Sequence, residues 1–165
     1  MAITKIQSES LNLADTYAFT GTVTGAGESN VPAFHAKVNT SQSTSDLTFA
    51  KVNYASEVFD TNNAYDTSTS TFTVPSGEGG KYFIYANTRI DSATDSEIYD
   101  LEIRVNNSAV LVNHANQLRY TTNSVTGTIN LSAGDTVNVY IFIQNNLSIR
   151  SDSVSSFFGG FKVSS

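Results

Sequence analysis

The chain has 165 residues, with 15 acidic against 9 basic side chains, a formal net charge of -6 and 39% hydrophobic residues. One compact domain is expected at this length, large enough to bury a core without a metal or disulfide. With 0 Cys there is no place for structural zinc on thiolates, an iron–sulfur cluster or thiol catalysis. The 22 Ser, 20 Thr and 16 Asn, against 15% charged residues, make a surface polar through hydroxyls and amides. These side chains compete for the backbone inside helices, so an extended, β-rich chain is favoured.

Residues 1–32 read as short extended pieces: Ile3 to Ile6, Leu11 to Leu13, and Tyr17 to Thr24 with period-two polarity. Gly25, Gly27 and Glu28 to Asn30 form a joint before Pro32. This stretch is read as an N-terminal arm, too short to bury a core, in which Ile3, Ile6, Leu11, Leu13 and Phe19 are the candidate anchoring side chains. The alternative is a first hairpin of the main domain. Residues 33–165 form that domain.

From Ala33 strands follow one another. Phe34, Ala36 and Val38 share a face, as do Ala50, Val52 and Tyr54. Thr71 to Val74 ends at Pro75 and Gly77. Tyr82, Ile84, Ala86 and Ile90 alternate with Phe83, Tyr85, Asn87 and Arg89, and Tyr99, Leu101, Ile103 and Val105 with Asp100, Glu102 and Arg104. After an Asn106-Asn107 turn come Val110 and Val112, then Val125, Ile129 and Leu131 before a Ser132–Asp135 turn. Val137, Val139, Ile141 and Ile143 alternate with Asn138, Tyr140, Phe142 and Gln144, and the chain closes on Phe157 to Val163. About ten short strands with turn signals between them predict a β-sandwich or barrel. Tyr140 and Phe142 then point outward, and Phe83 and Tyr85 do the same. A contiguous outward aromatic patch is costly on a monomer, so these four are the candidate subunit interface, with a covering loop as the alternative.

The chemistry-bearing residues are sparse. His35 and His114 are the only histidines and sit in no triad or metal spacing. No Gly-x-Ser-x-Gly, phosphate-binding loop or His-Glu-x-x-His occurs, so no catalytic residue and no cofactor is expected. Asp91, Asp95 and Glu97 are weak calcium candidates in one acidic stretch without the EF-hand order; a solvated loop is the default and no metal is expected. The scattered basic residues and the acidic balance argue against nucleic acid. No apolar run is long enough to insert in a membrane and no signal peptide is read at the N-terminus.

The order of motifs from Ala33 to Val163 resembles the globular-head family of complement component 1q, related to tumour-necrosis-factor-like jelly rolls. Pro32 to Ala36 is similar to the opening strand. Glu57-Val-Phe59-Asp60, followed by Tyr65 to Pro75 with Phe72 inside it, is similar to the central signature. Gly80-Lys-Tyr82, Leu131-Ser-Ala-Gly134-Asp135-Thr-Val137 and Phe157-Phe-Gly-Gly160-Phe161 are similar to three further motifs. Ile84 departs from the family in replacing an aromatic, the Phe59–Tyr65 interval is shorter and the Phe72–Gly80 interval longer. The resemblance implies a ten-stranded antiparallel jelly roll assembling as a homotrimer, with Tyr140 and Phe142 near the threefold axis.

The stretch Ile3 to Gly25 resembles the opening of virion and tail-fibre proteins of marine tailed bacteriophages. Together the two resemblances imply a non-enzymatic trimeric virion protein, either a short tail fibre for host attachment or a capsid decoration. Its arm would hold to other virion proteins, and its head would face a host glycan or protein. A free carbohydrate-binding module is the alternative, with Tyr54, Tyr65, Tyr99 and Tyr120 as candidate sugar platforms.

Overall fold

A computed structural model describes residues 32–91, 98–116, 121–151 and 154–164. Thirteen strands form among these residues: β1 (Ala33–Lys37), β2 (Gln42–Ser43), β3 (Thr48–Lys51), β4 (Ser56–Asp60), β5 (Tyr65–Asp66), β6 (Thr71–Thr73) and β7 (Gly80–Asp91), followed by β8 (Tyr99–Val105), β9 (Ser108–Ala115), β10 (Thr122–Leu131), β11 (Thr136–Ile143), β12 (Ser148–Ile149) and β13 (Phe157–Ser164). The three strands beyond the expected ten are matched by the two-residue pieces β2, β5 and β12. All pairings are antiparallel. The first sheet runs β2-β12-β7-β13-β1-β4 with β10 beside β7; the second runs β5-β6-β11-β8-β9 with β3 beside β11. Two facing antiparallel sheets of this order make a jelly-roll sandwich.

The period-two patterns place the core. Tyr82, Ile84, Ala86 and Ile90 of β7 face Val137, Val139, Ile141 and Ile143 of β11, and all are buried. Phe34 lies parallel to Phe72 at 4.5 Å and to Tyr65 at 5.2 Å, with Phe158 edge-on at 4.9 Å. Truncating the central ring removes these contacts and leaves a cavity. Phe34→Ala therefore lowers unfolding free energy by about 3–5 kcal/mol, read as a drop in urea midpoint at unchanged slope.

Buried hydroxyls are satisfied within this core, as burial demands. Tyr99 donates to the Thr88 carbonyl at 2.5 Å, Tyr65 donates to the Tyr54 carbonyl at 2.8 Å, and Tyr54 shares a hydrogen bond with the Thr88 hydroxyl. Burial raises all three phenol pKa values, so the rings stay neutral.

The turns follow side-chain chemistry. Asn106 and Asn107 both take positive φ, the geometry a two-residue hairpin asks for. Gly134 has φ 88° in the Ser132–Asp135 turn, where the Asp135 carboxylate accepts from the Ser132 N–H at 2.8 Å. The margin between β9 and β10 is closed by amides. Asn113 donates to the Asn123 side chain at 2.6 Å, and Asn123 donates back to the Asn113 carbonyl at 3.2 Å. Leu111 occupies the space above Gly127, where a Cβ would lie 2.7 Å from its Cδ1. One edge of the first sheet is thus stitched to the second sheet.

Candidate interaction surfaces

Alternation fixes which side chains leave the first sheet outward. On β7 they are Phe83, Tyr85, Asn87 and Arg89; on β13 they are Phe157, Gly159 and Phe161; on β1 they are His35 and Lys37. The register then sets Tyr85, Gly159 and His35 side by side across three strands. Gly159 has no side chain, so Tyr85 lies flat over it and reaches His35, with its hydroxyl 3.0 Å from the imidazole Nδ1.

Ring contacts continue from this bond in both directions. Phe59 of β4 stacks on His35 at 6.0 Å, and Phe157 lies 5.6 Å from His35 and 6.1 Å from Tyr85. Phe83 lies 6.2 Å from Tyr85 and 5.6 Å from Phe161. Six rings from four strands therefore form one continuous outward face, with Phe59 45% exposed and the others half-buried. Burial raises the Tyr85 phenol pKa, and burial, then the Lys37 charge, lowers the His35 pKa below its ordinary 6.5. At neutral pH the face is an apolar aromatic surface with Lys37 at its margin.

Tyr140 and Phe142 also point outward, but from β11 in the second sheet. The four candidate interface residues thus lie in two pairs on opposite outer faces of the sandwich. The second face is partly covered. The Arg104 guanidinium sits 4.1 Å over the Tyr140 ring and 4.4 Å from the Phe49 ring, and Phe142 lies 4.9 Å from Phe49. Glu102 pairs with Arg104 at 2.7 Å, both largely buried. The charged groups that an outward aromatic would otherwise lack as cover are supplied here by Arg104.

A polar groove of about 590 Å³ lies between β4 and the β5–β6 turn, lined by Glu57, Asn62, Asn63, Tyr65, Asp66 and Thr73 among others. Hydrogen bonds from the Ser68 and Thr69 hydroxyls lower the Asp66 pKa, so its carboxylate is charged. Of the sugar-platform candidates, the three among the described residues offer no exposed ring, although the edge of Tyr65 borders this groove. Tyr54, Tyr65 and Tyr99 are buried core residues because their hydroxyls find backbone partners inside, and Tyr120 lies outside the described residues.

Of the calcium candidates, Asp91 pairs with Arg150 at 3.4 Å, while Asp95 and Glu97 lie outside the described residues. Among the described residues no group of three or more His, Asp or Glu could hold a metal ion. His114 is 73% exposed and pairs with Asp100 at 2.7 Å, far in sequence and on a different sheet from His35. The arm residues Ile3, Ile6, Leu11, Leu13 and Phe19 all lie outside the described residues.

Sequence reasoning found Phe83 and Tyr85 but missed His35, Phe59, Phe157 and Phe161 as their neighbours. The available signal was the Gly159-Gly160 pair next to two outward phenylalanines, since glycine in a strand marks close approach of another group.

Comparison with known proteins agrees with this architecture. The C1q domain family matches residues 33–163. The globular domain of zebrafish complement 1qA superposes with a TM-score of 0.53 at 17% identity, over 81% of this chain and 98% of that one. Eiger TNF from S. frugiperda gives 0.60 at 16%, over 80% and 92%. Murine APRIL gives 0.61 at 14%, over 79% and 98%. No curated protein matches the chain at a significant level. With a family match over 131 of its 165 residues (33 through 163), carrying the same jelly-roll order, this chain belongs to the C1q domain family.

Proposed function

We propose that the chain is a non-enzymatic structural protein that works as a homotrimer, closed through the outer face of the first sheet. The observation that carries this reading is the continuous face of His35, Phe59, Phe83, Tyr85, Phe157 and Phe161, which stays partly exposed among the described residues. Its rings are rigid, four of them wholly apolar and two, His35 and Tyr85, with polar atoms bonded to each other, and large aromatic side chains dominate binding energy when an interface buries them. Membership of the C1q family supports three copies as the closed arrangement.

Opposite faces of one sandwich cannot both turn to one axis. The proposal therefore puts Phe83 and Tyr85 at the axis and leaves Tyr140 and Phe142 facing outward, where the head would meet a host surface or a neighbouring protein. Residues 1–32 act as an anchoring arm, and the resemblance of Ile3 to Gly25 to phage virion proteins supports a tail-fibre or decoration role. Three arms per trimer raise effective concentration, so individually weak anchors hold firmly.

Light scattering on the purified chain reads three times the 17.7 kDa chain mass if the trimer forms, and one chain mass if it does not. Deleting residues 2–30 yields a folded trimer that no longer copurifies with particles. Retention of the shortened chain on particles refutes the anchoring role.

A further inference from the structure

His35 is the one ionisable imidazole on the aromatic face, and its surroundings are arranged around the neutral ring. Its faces meet Phe59 and Phe157, and its Nδ1 meets the Tyr85 hydroxyl. Burial raises the Tyr85 pKa, so that hydroxyl keeps its proton and can donate it to neutral imidazole nitrogen. Protonation of the ring makes Nδ1 a donor, and the Tyr85 hydroxyl must turn round to accept.

No carboxylate among the described residues is placed to compensate that charge. On β1 itself the outward neighbour is Lys37. On β4, Phe59 faces the ring, while Glu57 lines the groove beside Tyr65 and Asp60 accepts from the Tyr65 N–H at 2.6 Å. On β13 the outward groups are Phe157, Gly159 and Phe161, and Lys162 turns inward to Glu78 at 3.0 Å. On β7 the ionisable outward groups are Lys81, Tyr85 and Arg89, with Asp91 at the far end held by Arg150. The β10 strand beyond carries no ionisable side chain.

We propose that His35 makes the assembly acid-labile: the trimer holds while the ring is neutral and opens when the ring gains a proton. The inference rests on the trimeric reading above. Closing the face removes the remaining water from three imidazoles and brings three Lys37-bearing faces together, with no carboxylate of the described residues beside the ring. Assembly lowers the His35 pKa below that of the free chain, so its contribution is full above the free-chain value. That contribution is lost as pH falls through the window down to the assembled value. With one proton taken up per chain, the association constant falls by up to about a thousandfold per pH unit inside that window.

The test measures trimer dissociation by light scattering and sedimentation on the full chain between about pH 7.5 and about pH 5, alongside His35→Phe, which keeps a ring in the cluster but cannot titrate. The expected result is a trimer at the upper pH that dissociates on acidification, and a His35→Phe trimer that does not. A wild-type trimer that persists at the lower pH overturns the role of His35 and leaves the trimer standing. Equal dissociation of wild type and variant assigns the effect to another group and also overturns it. A monomer at the upper pH removes the trimer and this inference together. Should His35→Phe misfold by circular dichroism, His35→Gln supplies the same comparison with a smaller neutral side chain.

Discussion

Replacing Phe83 and Tyr85 together by Asp converts the protein to a folded monomer. Both rings belong to the continuous outward face and neither faces the core, so the β-sheet signal in circular dichroism is retained. Loss of two buried aromatic anchors per chain costs at least about 2 kcal/mol each at an interface, so association weakens by a thousandfold or more. The matched control is Tyr140→Asp with Phe142→Asp. Those rings lie on the opposite sheet against Arg104 and Phe49, and the trimer mass is unchanged. If the control dissociates and the first pair does not, the two faces have been assigned the wrong way round.

Gly159→Ala acts on stability and assembly together. A Cβ at this position meets the Tyr85 side chain and stands 2.7 Å from the Phe34 carbonyl oxygen. The carbonyl is backbone in the neighbouring strand and cannot swing aside, so strand β13 or β1 must shift. Overpacking of this kind costs about 1–3 kcal/mol. It also lifts Tyr85 away from His35, breaking the bond at the centre of the aromatic face. The urea midpoint falls and the trimer weakens in the same variant; an unchanged midpoint would show that the sheet accommodates a methyl group there.

Much of the fold is legible from alternation. The β7 pattern names its buried apolar residues correctly and so does that of β11, although Asn138, read as outward, is 4% exposed and buried; Asn106-Asn107 and Ser132–Asp135 mark their turns through positive φ and a carboxylate cap. Alternation says that Tyr140 and Phe142 point outward, but it cannot say from which sheet. That depends on the crossover order, which pairs β11 with β8 and β7 with β13. The aromatic face was only half visible for the same reason. His35, Phe59, Phe83 and Phe161 are far apart in sequence and meet through register. Tyr54, Tyr65 and Tyr99 looked like surface platforms because a phenol hydroxyl usually seeks water; here backbone carbonyls and Thr88 satisfy it inside the core.

The central claim is that the first sheet's outer face is the one that assembly covers. Hydroxyl-radical footprinting of the wild-type protein, comparing dilute and concentrated samples, tests it residue by residue. Concentration-dependent protection of Phe59, Phe83, Tyr85, Phe157 and Phe161, with Phe49 and Phe142 unchanged, is the predicted result. Protection of Phe49, Tyr140 and Phe142 while the first set stays reactive would contradict it.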